Sequence, residues 1–260
     1  MEGAVRHSIP TAFIWRRVHS LLGFWLIVYL IEHLLVNSQA ALWIGDDGSG
    51  FVRFVNFLES LPYLQVIEWV LIGIPLLVHG VWGIKRALTA KTNSLPYTRN
   101  RAFTWQRITS WILLFGILGH VIQMRFLEFP QKVRIDNEER YLVKVSSDEG
   151  LYSLSERLGI SLSEKQGRVI AETKTPGAAM LLTVRDTFKN PFMAILYTIF
   201  VLAAAFHAFN GFWTFLITWG VILAMPAQRK ATKITWVGTF ILSFLGLAAI
   251  WGSYWINLRH

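Results

Sequence analysis

The chain has 260 residues, of which 53% are hydrophobic, 14% aromatic and only 16% charged, with 12 Trp and a net charge of +9. Soluble domains carry about 25% charged residues, and one core of this size cannot hide so much apolar surface. The composition therefore excludes an ordinary soluble domain, a disordered or collagen-like chain and a disulfide scaffold, and leaves an integral membrane protein. The absence of Cys removes disulfides, Cys-ligated zinc, iron–sulfur clusters and covalent c-type haem, so any cofactor is held by His, carboxylate or oxygen ligands. The basic residues lie at the ends of apolar runs, not along a basic stripe with exposed aromatics, which favours a membrane over nucleic acid.

Five apolar stretches are long enough to cross a bilayer, which takes ~20 residues. They cover residues 18–40, 64–86, 105–127, 192–224 and 234–256, give or take a few positions. The fourth is too long for a perpendicular crossing and is expected to tilt or protrude. Trp15, Trp43, Tyr63, Trp105, Trp219, Trp236 and Trp255 fall near span ends, as an interfacial aromatic belt requires. Ser38-Gln39-Ala40 faintly imitates a cleavage site, but the first stretch is too long for a signal peptide and contains Glu32-His33. Arg6, Arg16, Arg17, Lys85, Arg86, Lys91, Arg99, Arg101, Arg107, Arg229, Lys230 and Lys233 all fall on one side of such a topology. The opposite short segments hold Arg53 and Arg259 alone. The positive-inside rule then places the N-terminus in the cytoplasm and the C-terminus outside, across the cell's inner membrane.

Three regions follow: residues 1–127 with spans one to three, a polar segment at 128–190, and residues 191–260 with spans four and five. The polar segment holds ten acidic and ten basic residues. Lys132–Ile135 and Arg140–Val145 around Asp136-Asn137-Glu138-Glu139 read as a hairpin, and Leu151–Leu162 as a short helix. Arg168–Thr173 and Ala179–Val184, separated by Thr175-Pro176-Gly177, read as a second hairpin. The expected fold is an all-α five-helix membrane bundle with a small extracytoplasmic α+β cap between the third and fourth helices.

Of seven His, His7 and His260 are terminal and His19 opens the first span. The other four, His33, His79, His120 and His207, fall one in each of the first four spans. Ionisable groups inside a membrane are costly and functional by default. At 1.5 Å per residue, His33 and His120 lie ~21 Å from the inner surface, His79 ~10 Å and His207 ~10–15 Å. Two His at each of two depths suit two bis-imidazole b-type haems stacked across the bilayer, since neutral imidazole binds iron and burial favours the neutral form. Gly83, Gly116, Gly211 and Ala203 stand four residues from His79, His120 or His207 on the same helix faces, where a flat cofactor needs close access to backbone. His33 has Tyr29 and Asn37 at those positions instead. The same small residues also serve plain helix packing. A transporter with hydrogen-bonded His is the non-haem alternative, and a hydrogenase or ferric-reductase anchor the alternative haem reading. Matched broken helices, which a transporter would show, are missing apart from a single Pro75.

Several stretches carry a family resemblance: Arg16-Arg17-Val18-His19-Ser20-Leu21-Leu22-Gly23, Glu32-His33-Leu34, Pro75-Leu76-Leu77-Val78-His79-Gly80, Gln106-Arg107-Ile108-Thr109, His120-Val121 and Asn210-Gly211-Phe212-Trp213-Thr214-Phe215-Leu216-Ile217-Thr218-Trp219-Gly220. In order and spacing the chain resembles the cytochrome b membrane anchors of succinate:quinone oxidoreductases, the succinate dehydrogenases and fumarate reductases, of the single-chain, five-helix, di-haem type. Ser110 stands where that family often has Gly, and the 128–190 segment is longer than its usual connection. The resemblance implies that His33 and His120 hold an outer haem and His79 and His207 an inner one. It implies an iron–sulfur subunit and a flavoprotein on the cytoplasmic side, with electrons relayed to a membrane quinone. Two haems with an outer quinone site suit menaquinone.

Quinone chemistry couples electrons to protons, so titratable groups near the outer end matter. Glu59 and Glu68 are the candidates for proton exchange, with Glu32 nearby but on another helix face. His19, Ser20 and Arg107 near the inner end, and Arg125 outward of His120, are candidates for haem propionates or pocket walls, with Arg17 and Lys233 also within the inner group.

Overall fold

The computed structural model describes residues 9–41, 46–90, 98–165 and 168–259. Arg6, His7, Trp43, Lys91 and His260 lie outside the described residues. Helix α1 (Thr11–Ser38) closes in a 3-10 turn, Gln39–Ala41, and α2 (Ser49–Glu59) follows. Next, α3 (Leu64–Glu68), a π-helical turn (Trp69–Gly73) and α4 (Ile74–Thr89) run on as one rod. Helix α5 (Thr98–Val121) ends in a second π-helical turn, Ile122–Leu127. The cap comprises β1 (Gln131–Ile135), β2 (Glu138–Val145), α6 (Glu149–Leu158), β3 (Ser161–Lys165), β4 (Arg168–Thr173) and α7 (Pro176–Lys189). Helices α8 (Pro191–Thr218) and α9 (Met225–Leu247) complete the bundle, the latter extended by π-helical turns over Ala248–Asn257.

Among the described residues five segments are long and apolar enough to cross a membrane: Thr11–Ala41, Leu64–Thr89, Arg99–Leu127, Pro191–Thr218 and Met225–Asn257. They match the five stretches expected from sequence. Helices α1, α5 and α9 begin seven to nine residues earlier than the apolar runs, because each continues as helix through a stretch that carries charge: Arg16 and Arg17 in α1, Arg99 and Arg101 in α5, and Arg229, Lys230 and Lys233 in α9. The fourth is shorter than expected. It stops at Thr218, and Gly220 at φ 74° turns the chain where an L side chain would be strained.

Pro75 does not break its rod. Its ring removes the amide that would bond Leu71 four residues back. The π-helical turn at Trp69–Gly73 takes up the geometry, and the Leu71 carbonyl accepts the Trp25 indole N–H from α1 at 2.6 Å. Spans four and five make the tightest contact. Gly246 on α9 receives the side chain of Val201, and a Cβ there would clash. The fourth and fifth spans bury 39% of their most apolar windows and the third none, so α8 and α9 form the protein core of the bundle and α5 is the more lipid-facing helix.

The cap sheet is antiparallel in the order β1-β2-β4-β3. The first hairpin stands as expected, with Val133 opposite Arg140. Two expectations for the cap fail. The helix expected over 151–162 covers Glu149–Leu158 and is ended by Gly159 at φ 63°, after which Ser161–Lys165 alternates as a strand. The stretch 179–184, expected as a strand, lies inside α7. Thr175 caps that helix by accepting from the Ala178 N–H, and Pro176 occupies its first turn. β4 pairs instead with β2 and β3.

Helix α2, absent from the expectation, packs beneath α7: Asn56 Oδ1 accepts the Gly177 N–H at 2.8 Å. Asp47, just before α2, binds the Arg157 guanidinium at 2.9 Å through both oxygens. A third tie uses Arg185, only 1% exposed. Its guanidinium donates to Asp148 at 2.6 and 2.8 Å and to the Leu258 carbonyl at 2.6 Å, which joins α6 and α7 to the end of the fifth span. Lys189 adds a second cation on Asp148 at 2.9 Å. Cap residues Val143, Val169, Leu151, Leu181 and Phe188 share one buried core with Ile27, Leu34, Val201 and Ile250 of the bundle.

Candidate functional site

The bundle brings the intramembrane His together in two pairs. His33 on α1 and His120 on α5 have ring centroids 5.9 Å apart, near the cap. His79 on α4 and His207 on α8 are 6.5 Å apart, toward the basic end. Metal–imidazole nitrogen bonds are ~2 Å, and a ring centre lies ~1 Å further, so two rings sharing one metal stand ~6 Å apart. Both separations suit a bis-imidazole site.

Each ring is oriented by a hydrogen bond at Nδ1. His79 Nδ1 lies 3.1 Å from the His19 carbonyl, which can only accept. His207 Nδ1 lies 3.3 Å from Thr109 Oγ1, whose own proton goes to the Trp105 carbonyl at 2.8 Å. His120 Nδ1 lies 3.2 Å from the Tyr197 hydroxyl, which donates to Gln123 Oε1 at 3.1 Å. In all three the oxygen is left to accept, so Nδ1 carries the proton and Nε2 presents a lone pair. That is the tautomer a metal takes. His33 has a longer contact, 3.5 Å to the Tyr29 hydroxyl. The backbone around two of the rings is also held. Asn37 donates to the His33 carbonyl at 2.8 Å, and Gln106 donates to the His207 carbonyl at 3.1 Å while accepting from Asn210 at 2.7 Å.

The candidates for the basic end behave differently from one another. His19 stacks on His79 with centroids 4.0 Å apart. Its Nδ1 is buried without a hydrogen-bond partner, as is Arg107 Nε, although Arg107 Nη2 donates to the Ala87 carbonyl at 2.7 Å. Buried polar nitrogens rarely stay unpartnered, so His19 and Arg107 are the groups here suited to a ligand carboxylate. Ser20 is engaged: it donates to the Arg17 carbonyl at 2.9 Å and accepts from the Trp219 indole at 3.0 Å. Arg17 lies over the Phe13 ring at 3.6 Å.

At the cap end Arg125 and Glu68 are brought together as an ion pair at 3.1 Å, and Arg125 also lies over the Phe129 ring at 4.6 Å. Glu59 ends α2 close by. Burial raises its carboxyl above the ordinary range, and the Glu68 charge raises it further, against the pull of Arg125 and Lys132. Of the small residues beside the His, Gly116 is filled by the Phe200 ring of α8, so its missing side chain serves helix contact. A Cβ on Gly83 or Gly211 would meet only His19 or Gln106 at ordinary contact distance. Gly23 is the tighter place: a Cβ there would stand 2.9 Å from His79 Cε1.

Sequence reading did not find the oxygen partners Tyr197 and Thr109. Thr109 lies in the Gln106-Arg107-Ile108-Thr109 stretch, which was a usable signal. Tyr197 is ten residues from the His of its own helix, and nothing in the order of residues links it to His120.

Fold and site together define a multi-pass helical membrane protein with two stacked histidine pairs. Compared with known proteins, the chain is 31% identical over 241 residues to the succinate dehydrogenase cytochrome b558 subunit of Bacillus subtilis (strain 168), a match covering 92% of this chain and 95% of that protein. The chain belongs to the succinate dehydrogenase cytochrome b subunit family. No family model matches it, and no solved structure does.

Proposed function

We propose that this subunit is the di-haem b membrane anchor of a succinate:quinone oxidoreductase. His33 and His120 hold the haem nearer the cap, and His79 and His207 the haem nearer the basic end. The observation that carries this reading is the set of Nδ1 contacts, which turns Nε2 of His79, His120 and His207 into a ligand lone pair within each closely spaced pair. When bound, the haems supply one-electron transfer between a cytoplasmic iron–sulfur subunit, itself joined to a flavoprotein, and quinone in the membrane.

The protein's own contribution is positional and electrostatic. Thr109, Tyr197 and the His19 carbonyl fix the ring orientations. His19 and Arg107 receive propionates at the basic end. The rim of Arg16, Arg17, Lys85, Arg86, Arg229, Lys230 and Lys233 faces the cytoplasm, where it meets anionic lipid and the soluble subunits. Glu59 and Glu68 exchange protons with a quinone, of menaquinone type, bound near the cap. Glu59 suits that part because its raised carboxyl pKa lets it hold a proton closer to neutrality.

The test is a dithionite-reduced minus oxidised spectrum of the purified membrane complex, with a haem-to-chain ratio. Two non-covalent b haems per chain are expected. His79→Ala and His207→Ala should each remove the same one of the two, and His33→Ala and His120→Ala the other. A folded, haem-free preparation would sink the electron-relay reading.

A further inference from the structure

The cap reaches His120 through a chain of side chains on three elements. His120 Nδ1 donates to the Tyr197 hydroxyl at 3.2 Å, and Tyr197 donates to Gln123 Oε1 at 3.1 Å. Gln123 Nε2 donates to Glu128 Oε1 at 3.0 Å. The other Glu128 oxygen accepts from Thr187 of α7 at 3.0 Å, and the Glu128 carbonyl from Thr183 at 3.4 Å. The three steps from His120 all donate the same way, toward a carboxylate. Hydrogen bonds aligned head to tail polarise one another, so an anion at the end makes the Tyr197 oxygen a better acceptor for the imidazole.

The backbone is shaped for this. Gln123 and Glu128 are five residues apart, which on an α-helix sets them about 140° apart around the axis. The π-helical turn over Ile122–Leu127 bonds each amide five residues back, Glu128 N to Gln123 O at 2.8 Å, and stacks the two side chains on one face. Tyr197 is 7% exposed and wedged against Phe188 of α7 at 5.2 Å between centroids, so the cap also fixes the hydroxyl's position.

We propose that Tyr197, Gln123 and Glu128 are positioning residues through which the cap orients His120 and lowers the reduction potential of the haem that His120 binds. The inference rests on the haem reading above. A more anionic imidazole is a more basic ligand and favours ferric over ferrous iron. Partners of metal-bound His commonly change affinity ten- to a hundredfold when removed. A tenfold loss, the lower limit, that falls on the ferric form alone is an upward shift of about 59 mV for one electron.

The test is redox titration of the detergent-purified complex, following both b haems by absorbance and by the electron paramagnetic resonance of their ferric forms. Tyr197→Phe should raise one potential by about 59 mV or more, alter that haem's resonance and leave the other haem in place. Glu128→Gln keeps the chain's shape and removes its charge. It lies outside the haem pocket, so both haems should stay bound, with a smaller shift of the same haem in the same direction. Glu128→Asp should fall back toward the unaltered potential. Both haems present and both potentials unmoved in Tyr197→Phe and Glu128→Gln would overturn the relay while leaving the ligand assignment intact. Should Tyr197→Phe lose its haem, Glu128→Gln decides alone. An unaltered complex without haem would overturn the ligand assignment and the relay with it.

Discussion

At the scale of single residues, the intramembrane His were legible because an imidazole in an apolar run has no cheap explanation. What surrounds the His79, His120 and His207 rings was not, since those contacts come from other helices; only the Tyr29 contact of His33 lies on its own helix. Gly23 shows the difference. In sequence it is one member of a motif, whereas in the fold it is the floor beneath His79. That ring has His19 stacked on it at 4.0 Å and cannot simply move away. Gly23→Ala is therefore expected to cut the content of the basic-end haem and spare the other, read by the haem-to-chain ratio and the reduced spectrum. Trp25 is a second case. Its indole N–H satisfies the Leu71 carbonyl that Pro75 leaves open. Trp25→Phe should cost about 1–3 kcal/mol, the usual penalty for a carbonyl left without a partner, seen as a lower midpoint in detergent unfolding.

Among the elements, long apolar helices were easy to place and the cap was not. Spans announce themselves by length and hydropathy alone. Cap segments are short, and residues 179–184 are as compatible with a strand as with a helix until the Thr175-Pro176 start signal is weighed. The cap depends on one half-buried carboxylate held between two cations, one of them the buried Arg185. Burial opposes ionisation of Asp148, but its hydrogen bonds to Arg185 and Lys189, and their charges, outweigh it and pull the carboxyl from the ordinary 3.8 to about 2. A depressed folded-state pKa gives stability that is fully present above about pH 4 and is lost as the pH falls through about 2. Proteolysis of the cap across that window should show it loosening while the spans persist. Asp148→Ala leaves the buried Arg185 without its anion, with only the Leu258 carbonyl to receive it, and should destabilise the cap by about 3–5 kcal/mol. Hydrogen exchange over α6 and α7 at neutral pH checks this.

For the whole molecule, Arg16, Arg17, Lys85, Arg86, Arg107, Arg229, Lys230 and Lys233 gather at one end, and the cap, with as many acidic as basic residues, stands at the other. Arg99 of α5 donates to Gln228 of α9 at 2.5 Å, and Asn257 of the fifth span donates to the Ala40 carbonyl of the first at 3.0 Å. Which end faces the cytoplasm is a question of charge bias. The chain has no Cys, so single introduced thiols report side without background. In intact cells Ser163→Cys in the cap should react with a membrane-impermeant maleimide, and Lys230→Cys should react only after the membrane is opened. The reverse pattern would invert the orientation.

The order of residues by itself determined the membrane class, the five spans, the four His and their two depths, and the family resemblance. Each of these follows from composition or from a fixed rise per residue along one helix. Tertiary structure alone decided what depends on neighbouring helices. It paired Arg125 with Glu68, set a carbonyl or hydroxyl of another helix at Nδ1 of His79, His120 and His207, placed α2 beneath the cap and led Glu128 toward His120 through a π-helical turn. A side chain's partner across a bundle is chosen by crossing and packing, which no single helix encodes.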